Sequence, residues 1–192
     1  MSDPALPDLS LYRPNVGVVL FNAHGLVWIG RRAKTDAPHN WQFPQGGVDP
    51  GEDLYDAALR ELHEETGVRS ARLLDRTQDW MTYDFPKGWS GTKAIKGWRG
   101  QKQIWFAFRF EGEDGEIDLN LHSPPEFDAW RWEAIESTID LVVPFKRAAY
   151  EHVISAFRRF AGPEDGSASG STIEPSRRAS INWLGRLFRD GD

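Results

Sequence analysis

The sequence predicts an α/β fold: two helices flanking a mixed β-sheet in an α/β/α sandwich. Three observations predict it. Short β-rich runs alternate with two stretches of helical periodicity. The first helical stretch is introduced by Gly-Gly and Pro-Gly turns and closed by a further glycine. Finally, 192 residues with 40% hydrophobic content can bury a core and suit one domain with a tail.

In chain order, Asn15–Asn22 (NVGVVLFN) and Leu26–Arg31 are β-rich runs around Ala23-His24-Gly25, which reads as a hairpin. Trp41 to Gly47 is a short strand feeding the glycine turn. After Pro50-Gly51 a helix runs from Asp53 to Glu65, with Gly67 placed as its C′ residue. Arg72 to Tyr83 and Gln103 to Phe110 read as further strands, and Trp130-Arg131-Trp132 as a short strand closing the sheet. Val143 to Phe160 carries Phe145, Ala149, Val153, Ala156 and Phe160 at helical spacing. We therefore expect one domain over residues 11–161, followed by a linker and tail over 162–192. Gly162–Ser176 is rich in Gly, Ser and Pro and reads as a flexible linker. Beyond it, Ile181, Leu184, Leu187 and Phe188 lie among Arg177, Arg178, Arg186 and Arg189. That is either a frayed tail or a short amphipathic helix for a partner, RNA or an anionic surface.

Composition excludes several classes. No run approaches the length of apolar chain that spans a bilayer. The N-terminal MSDPALPDLSLYRPN has no basic region ahead of an apolar stretch, unlike a secretory signal. With no cysteine there is no disulfide, thiolate zinc site or thiol nucleophile, and the chain is compatible with a cytoplasmic enzyme. A net charge of −6 is unfavourable for a nucleic-acid partner across the whole surface. The charge is uneven, however. From Phe85 to Phe110 there are Lys87, Lys93, Lys96, Arg99, Lys102 and Arg109 and no acid, interleaved with Trp89, Trp98, Trp105 and Phe106. Such a stretch suits a polyphosphate and a stacked base. The alternative is a hairpin with a solvated basic loop.

The most informative segment is Gly46 to Val68, GGVDPGEDLYDAALRELHEETGV. On a helical wheel with Leu54 at zero, Ala58 falls at about 40° and Leu62 at about 80°, the buried stripe. Glu61 lands near about 340° and Glu65 near about 20°, inside or beside that stripe, with Glu64 at its edge near about 280°. Asp53, Asp56 and His63 occupy the outer, solvated arc. Two inward carboxylates are expensive unless a cation meets them. A hard divalent cation such as Mg²⁺, which prefers carboxylate and water oxygens, meets that need.

The spacing G-x5-E-x7-R-E-U-x-E-E-x-G-U, with U a bulky aliphatic, is matched at every defined position by Gly46, Glu52, Arg60, Glu61, Leu62, Glu64, Glu65, Gly67 and Val68. It resembles the Nudix box of hydrolases acting on nucleoside-diphosphate-linked substrates, a family whose fold is also an α/β/α sandwich. The resemblance reaches beyond the box. Tyr12 to Gly17, Trp41 to Gly47, Gly100 to Gln103 with Trp105-Phe106, Pro125 to Asp128, Trp130 to Trp132 and Phe145 to Arg147 are similar to bacterial RNA pyrophosphohydrolases. The same motifs occur in dinucleoside-polyphosphate hydrolases. The match spans about residues 11–160 and leaves out both ends.

The resemblance implies roles. Glu61, Glu64 and Glu65 would bind catalytic divalent cations, Mg²⁺ first and Mn²⁺ as an alternative, and Glu65 or Glu61 would orient or deprotonate the attacking water. Glu126 would be a further ligand or base from a loop opposite the box; Pro124-Pro125 ahead of it favours a rigid loop, and a surface acid is the alternative. Arg60 would hold the box by pairing with Glu52 or Glu64. Arg13, Arg32, Gln101 and Lys102 would face phosphates. Phe145 and Lys146 would hold a nucleotide, although Phe145 equally fits the core stripe of the last helix. Tyr83 either lines the same cleft or fills a strand face.

Three functions compete. The first is removal of pyrophosphate from the 5′ end of triphosphorylated RNA, leaving a 5′-monophosphate and promoting decay. The second is cleavage of diadenosine tetra- or pentaphosphate to ATP plus AMP or ADP. The third is a non-catalytic sensor, which the intact Glu61, Glu64, Glu65 and Glu126 argue against.

Overall fold

The computed structural model describes residues 7–35, 38–87 and 97–162. The expected linker at 162–176 and the arginine-flanked segment at 177–189 fall almost wholly outside these residues, as do Trp89, Lys93 and Lys96.

The centre of the sheet is a long parallel pair. Strand β1 (Tyr12–Phe21) runs beside β7 (Gly100–Phe110), with partners from Tyr12↔Gly100 to Phe21↔Arg109. From Val16 and Ile104 onward both strands are largely apolar on both faces, as a strand covered on each side must be. One face carries Val16, Val18, Leu20, Ile104, Phe106 and Phe108 against Ala57, Ala58 and Leu62 of helix α1 (Leu54–Thr66). The other carries Val19, Phe21, Trp105 and Ala107 against Tyr150, Val153 and Phe157 of helix α2 (Arg147–Phe157). This is the expected α/β/α sandwich on a mixed sheet. No helix among the described residues is long and apolar enough to cross a membrane.

Several elements differ from the sequence expectation, for one physical reason. Main-chain pairing is decided by which strand lies alongside, not by local composition. The expected hairpin of the first two strands holds only at its tip: β1 meets β2 (Val27–Arg32) at Phe21↔Val27. Beyond that, β2 pairs antiparallel with β8 (Phe127–Glu133) and with β3 (Trp41–Gln42). The single strand expected over Trp41–Gly47 is two, because Phe43-Pro44 carries the chain from β2 across to β1. There β4 (Gln45–Gly47) pairs with Asn15–Gly17. Likewise Arg72–Tyr83 divides into β5 (Ala71–Arg76) and β6 (Met81–Asp84), both antiparallel to β7.

Helix α1 has the caps its sequence calls for. The Asp53 carboxylate accepts from the N–H groups of Tyr55 and Asp56, and Gly67 closes the helix at φ 81°, where a side chain would be strained. The last helical stretch is shorter than expected. Pro144–Lys146 is a 3-10 turn and α2 begins only at Arg147. Its buried stripe is therefore Ala149, Tyr150, Val153 and Phe157, and Phe145 lies off the helix. The Tyr150 hydroxyl accepts from the Phe43 N–H at 2.8 Å, tying α2 to the β3–β4 connection.

Candidate active site

The loop from β4 into α1 is organised by one arginine. Arg60 donates through Nε and Nη2 to both Glu52 oxygens (2.7 and 2.9 Å), through Nη1 to Glu61 (2.8 Å) and Glu64 (3.2 Å), and through Nη2 to the Gly47 carbonyl (2.8 Å). Glu52 also accepts from the Asp49 N–H at 2.9 Å. The planar guanidinium fork can serve this many acceptors at once where an ammonium cannot. These pairings hold Glu52 below the usual carboxylate range, chiefly through the Arg60 hydrogen bond, and raise Arg60.

Two of the three box carboxylates turn inward as the wheel predicts. Glu61 is 9% exposed and lies against Gly46, where a β-carbon would stand 1.8 Å from its Cδ. Burial pushes Glu61 up in pKa, with Arg60 opposing. Glu65 keeps part of its surface open to the cleft although its carboxylate lies deep in the molecule. Burial, then Glu126, then Glu61 push it well up; the Gln45 N–H, which donates to Oε2 at 2.9 Å, and Arg32 oppose. Glu64 is more exposed, pairs with Arg60 and acts on Glu61.

Glu126 comes from the chain just before β8 and pairs with Arg32 at 2.9 Å. Its charge acts on Glu65, so the two carboxylates lie near one another. Arg32 also influences Lys146 and Tyr83, so Glu61, Glu65, Glu126, Arg32, Lys146 and Tyr83 form one electrostatically linked group. Lys146 is buried, donates to Gln42 Oε1 at 3.2 Å and stands 5.9 Å over the Tyr83 ring. Burial and Arg32 lower it to about 7, while Glu65 and Glu126 pull the other way. Tyr83 is buried and donates to Gln101 Oε1, and Phe145 lies 5.8 Å from its ring. Tyr83 and Phe145 thus meet at the same wall. Arg13 shares the strand face of Gln101, and its guanidinium packs on Gly47, where a β-carbon would stand 2.1 Å from Nη2.

Lys102 departs from the expectation. Neighbouring strand residues point to opposite faces, so it is turned away from Gln101, and its ammonium lies 5.3 Å over Trp80. The basic-aromatic stretch also divides. Trp105 and Phe106 are core residues on opposite sheet faces, and the Arg109 guanidinium donates to the carbonyls of Asn22 and Phe160. Arg99 pairs with Asp84 at 2.8 Å.

Among the described residues, no three acidic or histidine side chains already stand gathered as a ligand cluster. Glu61 and Glu64 are engaged by Arg60, Glu126 by Arg32, and Glu65 by a main-chain N–H. The donor chemistry nonetheless fits a hard divalent cation. Glu65 is a deep carboxylate raised by burial and by its two carboxylate neighbours, Glu126 and Glu61, a donor set that a hard cation suits. Sequence reasoning missed Gln45 as the group that holds Glu65, and missed Gln42 beside Lys146. A main-chain donor leaves no trace in residue type.

A Nudix domain model matches residues 11–153. The chain belongs to the Nudix family, and is a pyrophosphohydrolase of that family. It is 60% identical over 155 residues to an RNA pyrophosphohydrolase of Caulobacter vibrioides, covering 80% of this chain and 90% of the relative. It is 52% identical over 160 residues to that of a Bradyrhizobium species, covering 79% and 95%. Among solved structures, a C. elegans Ap4A hydrolase binary complex aligns with TM-score 0.56 at 21% identity, over 77% of this chain and 98% of that one. At that identity the likeness speaks for the fold alone.

Proposed function

We propose that this chain removes pyrophosphate from the 5′ end of triphosphorylated RNA, leaving a 5′-monophosphate and so promoting decay. The observation that carries this reading is the high identity to RNA pyrophosphohydrolases over nearly their whole length, in a chain whose box residues are complete.

Glu61, Glu64, Glu65 and Glu126 would hold divalent cations, Mg²⁺ in the first place. When bound, such ions neutralise the anionic triphosphate and acidify a coordinated water. The residues of the chain supply the rest. Arg60 keeps Glu61 and Glu64 in place, and the Gln45 N–H orients Glu65. Glu65 or Glu61 would orient or deprotonate the attacking water. Arg13 and Arg32 would meet phosphate oxygens, with Gln101 beside Arg13 on the same strand face. Phe145, which packs on the buried Tyr83 ring, would stack on a base, and Lys146, over that same ring, would add charge. Water attacks phosphorus, the phosphoanhydride bond breaks, and pyrophosphate, or two phosphates in succession, leaves. An RNA substrate and a chain without cysteine agree with action in the cytoplasm.

The test is a competition between triphosphorylated RNA and diadenosine tetraphosphate at equal concentration. A larger kcat/KM for RNA is expected. A preference for the dinucleotide would overturn the substrate assignment and leave the chemistry standing.

A further inference from the structure

We infer that Asn15 and Gln103, through the side chain of Gln45, are positioning residues for the Glu65 carboxylate and so for metal binding. This rests on the reading of Glu65 as a metal ligand.

Asn15 and Gln103 are direct partners across the parallel β1–β7 pair, each 1% exposed. Two residues further along, on the same face, the partners are Gly17 and Trp105, then Val19 and Ala107. In the other direction the neighbouring pair is Arg13 and Gln101, so the amide pair stands where this face passes from its apolar core to the polar site. A buried amide costs free energy unless its hydrogen bonds are made. Here they are. Gln103 Nε2 donates to Asn15 Oδ1 at 2.6 Å and to Gln45 Oε1 at 3.3 Å. The Gln45 side chain also faces the Tyr83 hydroxyl, which donates to Gln101.

Gln45 is the residue whose main-chain N–H donates to Glu65. It sits in β4, a strand of three residues whose one strand partner is β1. So short a strand is weakly held by its own ladder. The amide pair beneath it fixes the Gln45 side chain, hence the rotation of the Gln45 peptide, hence the direction of the donor. The Glu65 carboxylate is thereby held with one oxygen engaged and the other free for a cation. Groups that orient a metal ligand in this manner alter metal affinity strongly when removed. Neither Asn15 nor Gln103 touches the reacting atoms.

The experiment uses the full chain and Mn²⁺ as the probe. Mn²⁺ binding without substrate is measured by calorimetry for wild type, Glu65→Gln, Gln45→Ala, Gln103→Leu and the double Gln45→Ala/Gln103→Leu. Turnover is followed as a function of Mn²⁺. We expect Gln45→Ala and Gln103→Leu each to weaken Mn²⁺ binding by roughly tenfold. The double variant should be no worse than the poorer single, because both break one chain of contacts. Saturating Mn²⁺ should restore much of the turnover. If Glu65→Gln weakens Mn²⁺ binding while the folded amide variants bind as wild type, the positioning role is overturned and the metal site stands. If Glu65→Gln also binds normally, the metal-site reading itself fails. Additive losses would overturn the inference too. Should Gln103→Leu fail to fold, the half-exposed Gln45→Ala decides alone, with normal Mn²⁺ affinity as the overturning result.

Discussion

The Glu61 carboxylate lies against the α-carbon of Gly46, so close that a β-carbon there would stand 1.8 Å from Glu61 Cδ. The first glycine of the box therefore makes room for a carboxylate presented by the helix that follows it. Because the clash falls on the end of a flexible side chain, Gly46→Ala should displace Glu61 without breaking the fold. We expect kcat to fall by roughly tenfold or more, with the circular dichroism spectrum unchanged. Wild-type turnover in this variant would remove the steric relationship from the account of the site.

Glu61 itself tests the metal. Changing it to Gln keeps its volume and its place beside Arg60 but removes the charge. Turnover should drop by roughly a hundredfold or more, and EDTA should silence the wild type until Mg²⁺ is returned. Near-normal activity of Glu61→Gln at saturating Mg²⁺ would sink the assignment.

Lys146 should show itself in the pH dependence of stability. Burial lowers it from 10.5 to about 7. Between these values the unfolded chain holds a proton that the folded chain has released, so stability rises with pH across that window. The cost of charging the buried ammonium is complete below pH 7 and relieved above it. In metal-free protein, the melting temperature of Lys146→Met should exceed that of wild type most at pH 6 to 7, and the gap should close toward pH 10. A gap independent of pH would mean that Lys146 titrates as an ordinary lysine.

The domain boundary proposed at residue 161 can be tested by truncation. The Phe160 carbonyl accepts from Arg109, and Ala161 packs closely on Gly25, so the described domain uses the chain to that point. A protein ending at Gly162 keeps Glu126, Phe145 and Lys146. It should fold and hydrolyse diadenosine tetraphosphate at near wild-type kcat, with RNA affinity modestly lower if Arg177, Arg178, Arg186 and Arg189 touch the strand. A large loss of kcat, or an unfolded product, would place residues 163–192 within the catalytic unit.

Local chemistry determined much of this protein. The caps of α1, Asp53 and Gly67, act within a few residues of themselves, so they are legible in sequence. The inward turn of Glu61 and Glu65 follows from helical periodicity alone, and the arginine that serves Glu52, Glu61 and Glu64 lies within eight residues of each. The tertiary structure decided what depends on distant partners. Pairing with β7 divides Arg72–Tyr83 into two strands, and β8 draws β2 away from β1. Strand alternation in the folded sheet turns Lys102 away from the face of Arg13 and Gln101 and puts Gln103 under Gln45. The donor to Glu65 is a main-chain N–H twenty residues upstream, brought there by packing of β4 on α1. Every peptide carries such a group, so residue type cannot reveal which one is used. Only the fold selects it.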